Sequence, residues 1–398
     1  MPEAADLNVF LVACEPSADA LGTELMGALG SLRSGRVSFR GLGGAGMIAA
    51  GLLPCGNIDD LGRIGLGSVV AGLPAILRRL RDTVEAIVAC PPDVLILIDA
   101  PDFTHRVAAR VRSRMPNLPI VKYVSPTVWI WRPSRARAMR RSINLILALL
   151  PFEPEVHRQL GGPPCVYVGH PLLARLGDLR PNAEERGKRA ADPPLVLALP
   201  GSRCGEIRRL SGIFGEALGM IAARRGKLDI AVPTLPQLAG EIADLTKNWP
   251  ARPCIITSKT EKYAAFRRAR AALAASGTVT LELALAGVPS VAAYRIPPIE
   301  GLILRHMARV HPVVGVRSVI MANLVLGDFI IPEFLQSRCK ADNLAPALAD
   351  LLDDTPARCR QIETFKKLDG ILDCGGEPPS IRAAQAVLDL LARRQAFQ

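Results

Sequence analysis

The chain has 398 residues, more than one hydrophobic core usually organises, which predicts two or three domains. Apolar residues make up 49% of it, a content that excludes a disordered chain. The 49 lysines and arginines against 37 acidic residues leave a net charge of +12, so nucleic acid, an anionic membrane and a phosphorylated substrate are all candidate partners.

The cysteines and the N-terminus predict a cytoplasmic location. The nine cysteines form no Cys-x-x-Cys pair and no metal-like spacing with the five histidines, which argues against disulfides and a zinc site. The first residues lack the basic flank and apolar stretch of a secretory signal, and no run approaches the roughly 20 apolar residues of a membrane span. We therefore expect a protein that binds no metal and touches a membrane without crossing it.

Short apolar runs separated by helical stretches are typical of buried parallel strands. In the first part of the chain these runs are 9–13, 94–98, 120–124, 145–149 and 166–168. After a charged stretch they recur at 195–199, 230–232, 255–256, 271–274 and 288–292. The pattern predicts an α/β protein with two doubly wound, Rossmann-like domains.

The domains are expected at 1–170 and 171–375, followed by a final helix within 376–398. That helix has an apolar stripe, so it must pack on another surface. Ligands of open α/β sheets bind beyond the carboxyl ends of the strands. Two domains that face each other therefore predict an active site in the cleft between them.

Carboxylates follow two strands of the first domain. Glu15 comes after the first strand, and Asp99 directly follows another, in Asp99-Ala100-Pro101-Asp102. A carboxylate near an acceptor hydroxyl serves as a general base, and we expect Asp99 in this role with Glu15 as second choice. A helix cap or an ion pair is the alternative for either residue.

Three further segments of the first domain are compatible with more than one interpretation. Trp129 and Trp131 lie beside basic residues in a proline-containing loop and suit either a pocket wall or plain core. His170, at the expected hinge, suits either a cleft residue or a structural histidine. The segment 61–87 combines apolar residues with a cluster of three arginines, which favours an interfacial helix on an anionic membrane, with a solvated helix face as the alternative.

In the second domain, Gly201-Ser202-Arg203 links a strand to a helix. The Arg203 guanidinium suits phosphate oxygens and the charge left on a departing diphosphate. Pairing with Glu206 is the structural alternative. Farther along, Asn323 lies in a loop before a helix and is a candidate donor to a phosphate or a base edge.

The turn Ala275-Ser276-Gly277-Thr278 has the same strand-to-helix form. Backbone N–H groups at such a helix start, aided by the helix dipole, are suited to hold a nucleotide diphosphate. Glu282, one turn into the helix, is suited to accept hydrogen bonds from a ribose diol. An ordinary capped helix with an exposed glutamate is the alternative, and this segment alone is compatible with both.

Seven motifs resemble, in the same order, those of the bacterial lipid-A-disaccharide synthases. They are Glu15-Pro16-Ser17, Asp99-Ala100-Pro101-Asp102-Phe103, Ser125-Pro126-Thr127-Val128-Trp129-Ile130-Trp131, Leu150-Pro151-Phe152-Glu153, Val168-Gly169-His170-Pro171, Leu199-Pro200-Gly201-Ser202-Arg203 and Ala275-Ser276-Gly277-Thr278. The resemblance covers nearly the whole chain, and Asn323-Leu324 extends it toward the C-terminus.

The resemblance implies a GT-B glycosyltransferase of lipid A biosynthesis, with the final helix crossing back to the first domain. Such an enzyme transfers 2,3-diacylglucosamine from UDP-2,3-diacylglucosamine to the 6-hydroxyl of 2,3-diacylglucosamine 1-phosphate (lipid X), giving the β-1,6 disaccharide 1-phosphate and UDP. The first domain would face the acceptor and the membrane, and the second would bind the UDP-sugar. No metal or other cofactor is implied.

The residues best carried over from the family are Asp99, Arg203, Glu282 and Asn323. The further partners expected are the anionic inner-membrane surface, bound peripherally, and, as an option, a second copy of the chain. One motif departs from the family, whose usual Gly-Glu-Pro-Ser-Gly-Asp has Cys14 and Ala18 here in place of both glycines. Close backbone approach to a ligand is harder at such a turn, and low activity or an altered acceptor preference would follow.

Two alternatives differ in substrate or class. Another GT-B enzyme acting on a UDP-N-acetylhexosamine, such as a peptidoglycan transferase or a 2-epimerase, would not need the apolar segment at 61–87. A basic nucleic-acid-binding protein would fit the net charge. However, the chain lacks the aromatic and basic face expected for binding single strands, and no recognition helix is apparent, so no nucleic acid is expected.

Overall fold

The computed structural model describes residues 6–57, 69–130, 132–296 and 312–395. The chain forms two compact units, one comprising Met1–Pro171 with Asp373–Gln398 and the other Leu172–Leu372. Each unit is built on a parallel sheet with helices, so the α/β prediction is confirmed.

The described strands of the first unit are β1 Leu7–Ala13, β2 Val37–Gly43, β3 Leu52–Asn57, β4 Val94–Ile98, β5 Ile120–Tyr123, β6 Leu145–Ala148 and β7 Cys165–Tyr167. They pair in the order β3-β2-β1-β4-β5-β6-β7. Sequence reasoning missed β2 and β3, because Arg40 and glycines interrupt the apolar run of β2 and Pro54 interrupts β3. A proline is tolerated in β3 because it is an edge strand of the described sheet.

The described strands of the second unit are β8 Leu195–Leu199, β9 Asp229–Pro233, β10 Cys254–Ile256, β11 Ala271–Ala275, β12 Ser290–Tyr294 and β13 Glu333–Leu335. They pair in the order β10-β9-β8-β11-β12-β13. Only the short β13, which begins with a glutamate, escaped prediction among these described strands. In both sheets the first strand has neighbours on both sides, as in doubly wound sheets.

The described helices, in chain order, are α1 Pro16–Leu32, α2 Ala45–Ala49, α3 Val69–Ala89, α4 Pro101–Arg114, α5 Ser134–Met139, α6 Glu153–Gln159, α7 Leu176–Leu179, α8 Ala183–Lys188, α9 Cys204–Arg225, α10 Ala239–Leu245, α11 Lys259–Arg268, α12 Val279–Leu285, α13 Met321–Leu326, α14 Ala341–Leu352, α15 Pro356–Phe365, α16 Leu368–Leu372 and α17 Pro379–Gln395. Short 3-10 helices cover Pro171–Arg175, Pro236–Leu238, Pro312–Val314 and Gln336–Arg338. None of the described helices is long and apolar enough to span a bilayer.

The last helix, α17, packs on α1 and completes the core of the first unit. Its small residues Ala383 and Ala384 and its Val387 are fully buried. They share one core cluster with Leu25 and Leu29 of α1. The expected return of the final helix to the first part of the chain is therefore confirmed.

Candidate active site

Three neighbouring strands of the first unit end at the sheet edge where its candidate catalytic carboxylates lie. Strand β4 lies between β1 and β5, with Ile98 paired to Ala13 on one side and to Tyr123 on the other. Because Glu15 follows β1 and Asp99 follows β4, the structure brings these two turns to one edge of the sheet.

The carboxylates near this edge have different surroundings. Asp19 accepts hydrogen bonds from three amides of the 44–47 turn, at 2.7, 2.9 and 3.1 Å, and thereby fixes the start of α2. Asp102 is 82% exposed and pairs with an arginine of α5 at 2.7 Å. Glu15 is exposed at the N-cap of α1 and makes no capping bond within the described residues, while Asp99 is half-buried. Among the described residues near this edge, Asp99 and Glu15 are therefore the carboxylates whose side chains make no hydrogen bond or ion pair.

The turn that presents Asp99 has a strained backbone. Asp99 and Ala100 have φ angles of 49° and 42°, a left-handed conformation that costs non-glycine residues roughly 1–3 kcal/mol each. The Thr104 hydroxyl donates to the carbonyls of both, at 2.8 and 3.0 Å. The Asp99 amide donates to the Tyr123 carbonyl at 2.9 Å. Such strain is typical of functional sites, where the surrounding structure holds it.

Lys122 is the ionisable residue that sequence reasoning missed at this edge. It lies on β5, is fully buried, and its Nζ donates to the Asp99 carbonyl and, at 3.1 Å, to the Thr104 hydroxyl. Burial lowers its pKa to about 7, against the opposing attraction of the Asp99 carboxylate. The available signal was a lysine inside the otherwise apolar strand Ile120–Tyr123.

The two residues that replace the family glycines do not need a glycine backbone. Neither Cys14 nor Ala18 has a positive φ, and Ala18 is buried inside α1. Burial raises the pKa of the Cys14 thiol to about 12, so this side chain is neutral at pH 7. The turn thus keeps an ordinary helix start, with Glu15 at its N-cap.

A buried polar cluster fixes the loop after β5. The Ser125 hydroxyl lies 2.8 Å from His157 Nε2, and Glu153 accepts a hydrogen bond from the Leu150 amide at 2.9 Å. Burial lowers the pKa of His157 to about 4 and raises that of Glu153 to about 8. Because His157 and Glu153 are nearly inaccessible to solvent, this cluster supports the loop rather than contacting a ligand.

The aromatic and histidine positions of this region belong to the interior. Trp129 is 2% exposed and packs edge-on against Phe152, with the ring centroids 5.2 Å apart, so plain core is the interpretation that fits. His170 is buried, and burial lowers its pKa to about 4, which fits a structural histidine. Trp131 lies outside the described residues.

The two turns predicted to hold a diphosphate lie side by side in the second unit. Strands β8 and β11 are neighbours, with Leu199 paired to Ala274. Helix α9 begins directly after Arg203, and α12 begins directly after Thr278. Two helix starts, with their backbone N–H groups, therefore lie at the same sheet edge.

The amides of the 276–278 turn are not equivalent. The Ser276 amide donates to the Ala293 carbonyl at 3.0 Å, and its hydroxyl donates to the Val319 carbonyl at 3.1 Å. This corrects the expectation that Ser276 offers its amide to a phosphate, because that donor already belongs to the sheet. The amides of Gly277 and Thr278 make no hydrogen bond within the described residues.

Gly201 is required both by its backbone and by its neighbour. Its φ is 130°, and an added Cβ would lie 2.6 Å from the Glu206 carboxylate. That carboxylate accepts from the Ser202 amide at 3.3 Å and lies 3.6 Å from Arg203 Nη1. The Arg203 side chain is nevertheless 64% exposed, so this long pairing leaves its guanidinium open to solvent.

Glu282 forms an ion pair with Lys262 of α11. Its side chain is 17% exposed, which does not match the alternative of an ordinary exposed glutamate. Lys262 Nζ also lies 5.6 Å from the ring centroid of Tyr263 and 5.3 Å from that of Phe266. Lys262 is a second residue that sequence reasoning missed, and it fixes the Glu282 carboxylate in place.

Asn323 is fully buried. Its Nδ2 donates to the Ser318 hydroxyl at 3.2 Å and the Ile331 carbonyl at 2.9 Å, while its Oδ1 accepts from two backbone amides at 3.1 and 2.8 Å. Both of its N–H groups are used among the described residues, so the expected direct bond to a phosphate or base edge has no donor here. Asn323 instead orders the segment whose Val319 carbonyl receives the Ser276 hydroxyl.

The predicted interfacial segment is described in part. Residues 61–68 lie outside the described part of the chain, and side chains are described from Pro74 onward. On α3, Leu77 is 43% exposed, and the neighbouring Arg78 and Arg81 are exposed as well. An apolar side chain flanked by guanidinium groups thus lies on the surface of the first unit.

Comparison with known proteins identifies relatives over the full length. The family model described as lipid-A-disaccharide synthetase matches residues 9–374. The chain is 51% identical over 384 residues to a lipid-A-disaccharide synthase of Nitrobacter hamburgensis, covering 96% of each chain. It is 50% identical over 400 residues to one of Nitrobacter winogradskyi, covering 100% of each.

Solved structures with the same fold are more distant in sequence. The UDP-GlcNAc 2-epimerase of Neisseria meningitidis, bound to UDP-GlcNAc, has a TM-score of 0.60 at 10% identity and covers 98% of this chain and 100% of its own. MurG of Acinetobacter baumannii has a TM-score of 0.53 at 14% identity, with 97% and 99% covered. At these identities the likeness concerns the fold, and the GT-B prediction is confirmed.

Proposed function

The chain belongs to the lipid-A-disaccharide synthetase family, and from this premise we propose that it is a glycosyltransferase of lipid A biosynthesis. It transfers 2,3-diacylglucosamine from UDP-2,3-diacylglucosamine to the 6-hydroxyl of lipid X, with UDP as the second product. The observation that carries the proposal is the family match over residues 9–374.

The proposed chemistry is a single inverting displacement. A bond forms between the acceptor 6-oxygen and the anomeric carbon of the donor, while the bond from that carbon to the diphosphate breaks. Asp99, or Glu15 as second candidate, takes the hydroxyl proton, and the electron pair of the broken bond leaves with UDP. The half-buried position of Asp99 on a fixed turn favours it over the exposed Glu15.

The donor site is assigned to the sheet edge of the second unit. Arg203 and the amides of Gly277 and Thr278 stabilise the diphosphate, because an open guanidinium and the positive end of a helix suit its charge. Glu282 accepts hydrogen bonds from the ribose hydroxyls. Asn323 contributes through the segment it orders rather than by direct contact.

Incubation of the protein with UDP-2,3-diacylglucosamine and lipid X, followed by mass spectrometry of the lipids, tests the activity. We expect the tetraacyl disaccharide 1-phosphate with one UDP per product, and the same yield in EDTA because the proposal includes no metal. UDP-GlcNAc in place of the acylated donor should give neither disaccharide nor epimer. Absence of disaccharide from the acylated substrates would contradict the proposal.

Peripheral binding at the cytoplasmic face of the inner membrane is the second part of the proposal. The exposed Leu77, with Arg78 and Arg81, suits the boundary between acyl chains and acidic headgroups. In flotation with phosphatidylglycerol vesicles, Leu77→Glu should reduce the bound fraction at least about fivefold. Leu245→Glu, at a 37% exposed position of the second unit, is the matched control. Equal binding by both variants would rule out this contact.

A second copy of the chain is a further candidate partner. Sedimentation velocity of the purified protein across a concentration series addresses it directly. A single species with the mass of one chain, 42.6 kDa, at every concentration would remove this partner.

A further inference from the structure

Lys122 has an unusual position for a charged side chain. It lies in the interior of the first sheet, where β5 pairs with β4 and β6, and it has no exposed surface. Within the described residues it makes no ion pair, and its Nζ is bound to the Asp99 carbonyl and the Thr104 hydroxyl instead. Burying an ammonium without a directly bound carboxylate is costly, so this position calls for a compensating role.

The bonds of Lys122 converge on the strained turn. The Asp99 carbonyl accepts from both the ammonium and the Thr104 hydroxyl. Asp99 and Ala100 keep left-handed φ angles that their side chains disfavour. A charged donor forms stronger hydrogen bonds than a neutral one. The protonated lysine is therefore the stronger of the two side-chain contacts that hold this carbonyl.

Of the titratable groups that face Lys122, one carries a charge that can attract its ammonium. These groups are the Asp99 carboxyl after β4, the Cys14 thiol after β1 and His105 of α4. Burial raises the pKa of Cys14 to about 12 and lowers that of His105 to about 4, so both are neutral near pH 7. The Asp99 carboxylate is thus the charged group that the ammonium attracts.

We propose that Lys122 is a positioning residue for Asp99, whose protonated amine holds the left-handed turn and attracts the carboxylate that acts as the base. This inference rests on the proposed function, since it takes Asp99 as the base. The pKa of Lys122 lies near 7, so its charge is present below that pH and is lost above it. Activity should consequently decrease as the pH rises through this range.

The test compares Lys122→Met, Lys122→Arg and Thr104→Val in rates of disaccharide formation from pH 6 to 9. At pH 6.5 we expect Lys122→Met to lower kcat at least about tenfold with KM within twofold, and to remove the decline above pH 7. Lys122→Arg, which stays charged, should recover part of kcat and also lack the decline. Thr104→Val removes the neutral donor to the turn and one acceptor of the ammonium but leaves the lysine charge, so this variant should keep the decline above pH 7.

Three results would overturn the inference: an unchanged kcat in Lys122→Met, a decline above pH 7 that survives in that variant, or a flat wild-type profile. If Lys122→Met does not fold, the pH profile of the wild-type enzyme still tests the inference. If the wild type makes no disaccharide, the proposed function fails, and hydrogen exchange then tests the positioning alone. Amides of residues 99–104 should exchange at least about tenfold faster in Lys122→Met, with segment 271–275 unchanged, and equal rates would overturn it.

Discussion

The two sheet edges present their functional groups in opposite ways. In the first unit, Lys122 is fully buried and the turn of Asp99 is held in a strained conformation. In the second unit, Arg203 is 64% exposed, and an added Cβ at Gly277 would meet no described atom within 4 Å. The first edge fixes a charge at one point, whereas the second leaves donors open to an incoming anion.

Because the two edges differ in this way, the reaction rate and the affinity for the nucleotide should respond to different residues. A group fixed at the reacting atoms affects the transition state more than the ground state, so its loss lowers kcat. A group that holds the diphosphate contributes to binding before the reaction as well. Substitutions at the two edges should therefore separate kcat from the affinity for UDP.

The largest effect is expected for Asp99→Asn, because an amide cannot take up the acceptor proton. General-base catalysis contributes about 10²- to 10⁴-fold, so kcat should decrease by at least about 100-fold while UDP affinity changes little. Initial rates of UDP release at saturating substrates measure this.

Asp102→Asn is the matched control for Asp99→Asn, since it removes an exposed ion pair worth about 1 kcal/mol or less. It should retain more than about half of kcat. A larger loss in Glu15→Gln than in Asp99→Asn would transfer the role of base to Glu15.

The next effect is expected for Arg203→Met at the open edge. Loss of a donor to the departing diphosphate should lower kcat/KM by about 100-fold and weaken UDP binding about tenfold, measured by calorimetry. Arg208→Met is the control, because Arg208 lies on α9, the helix that begins directly after Arg203, is 69% exposed and pairs with Glu241. Equal losses in the two variants would show that the position of Arg203 has no special role.

Acid should destabilise the first unit. Burial lowers the pKa of His105, His157 and His170 to about 4 and raises that of Glu153 to about 8. Between pH 6.5 and 4.5, unfolding lets the three histidines bind protons while Glu153 releases one. The net uptake is about two protons, so the free energy of unfolding should fall by roughly 2 kcal/mol per pH unit as the pH decreases.

Urea unfolding of Trp249→Phe, followed by fluorescence, measures this loss, because the remaining tryptophans all belong to the first unit. The histidine contribution becomes constant only above about pH 7.5, about one unit above the ordinary histidine pKa of roughly 6.5, because the unfolded histidines are then neutral as well. Equal stability of the first unit at pH 6.5 and 5 would contradict the burial of these histidines in their neutral form.

The smallest effect is expected for Gly201→Ala. The φ of 130° and the contact with Glu206 should cost about 1–2 kcal/mol of unfolding free energy and distort the turn that carries Arg203. Gly212→Ala lies within α9 where an added Cβ meets no described atom, and should instead stabilise by about 0.5–1 kcal/mol. Unfolding in urea measures both, and a neutral Gly201→Ala would show that the turn relaxes.

Much of the fold was predictable because its signals are local. Apolar runs marked the buried strands, and the final helix showed its stripe, since both patterns arise within a few residues. Strand β3 had no such signal, because an edge strand with Pro54 lacks a continuous apolar run. The family motifs indicated the GT-B fold where individual turns were ambiguous.

The site was less predictable because its partners are distant in sequence. Asp19 is bound by amides of the 44–47 turn, and Lys122 lies 23 residues from the carbonyl that it binds. The sequence next to Asn323 does not show that its side-chain amide is already hydrogen-bonded to the backbone of Ile331. Residue type and local motif identify candidates, but hydrogen-bond partners decide which of them remain available.

The position of α17 at the end of the sequence affects how the chain folds during its synthesis. The first unit takes its last helix from the end of the chain, whereas the second unit is continuous over Leu172–Leu372. During synthesis the second unit can fold before α17 is made. The surface of α1 around Leu25 and Leu29 stays exposed to solvent until Ala383, Ala384 and Val387 leave the ribosome. The unit that is translated first is therefore completed last, and its exposed apolar helix is the natural target for chaperones until then.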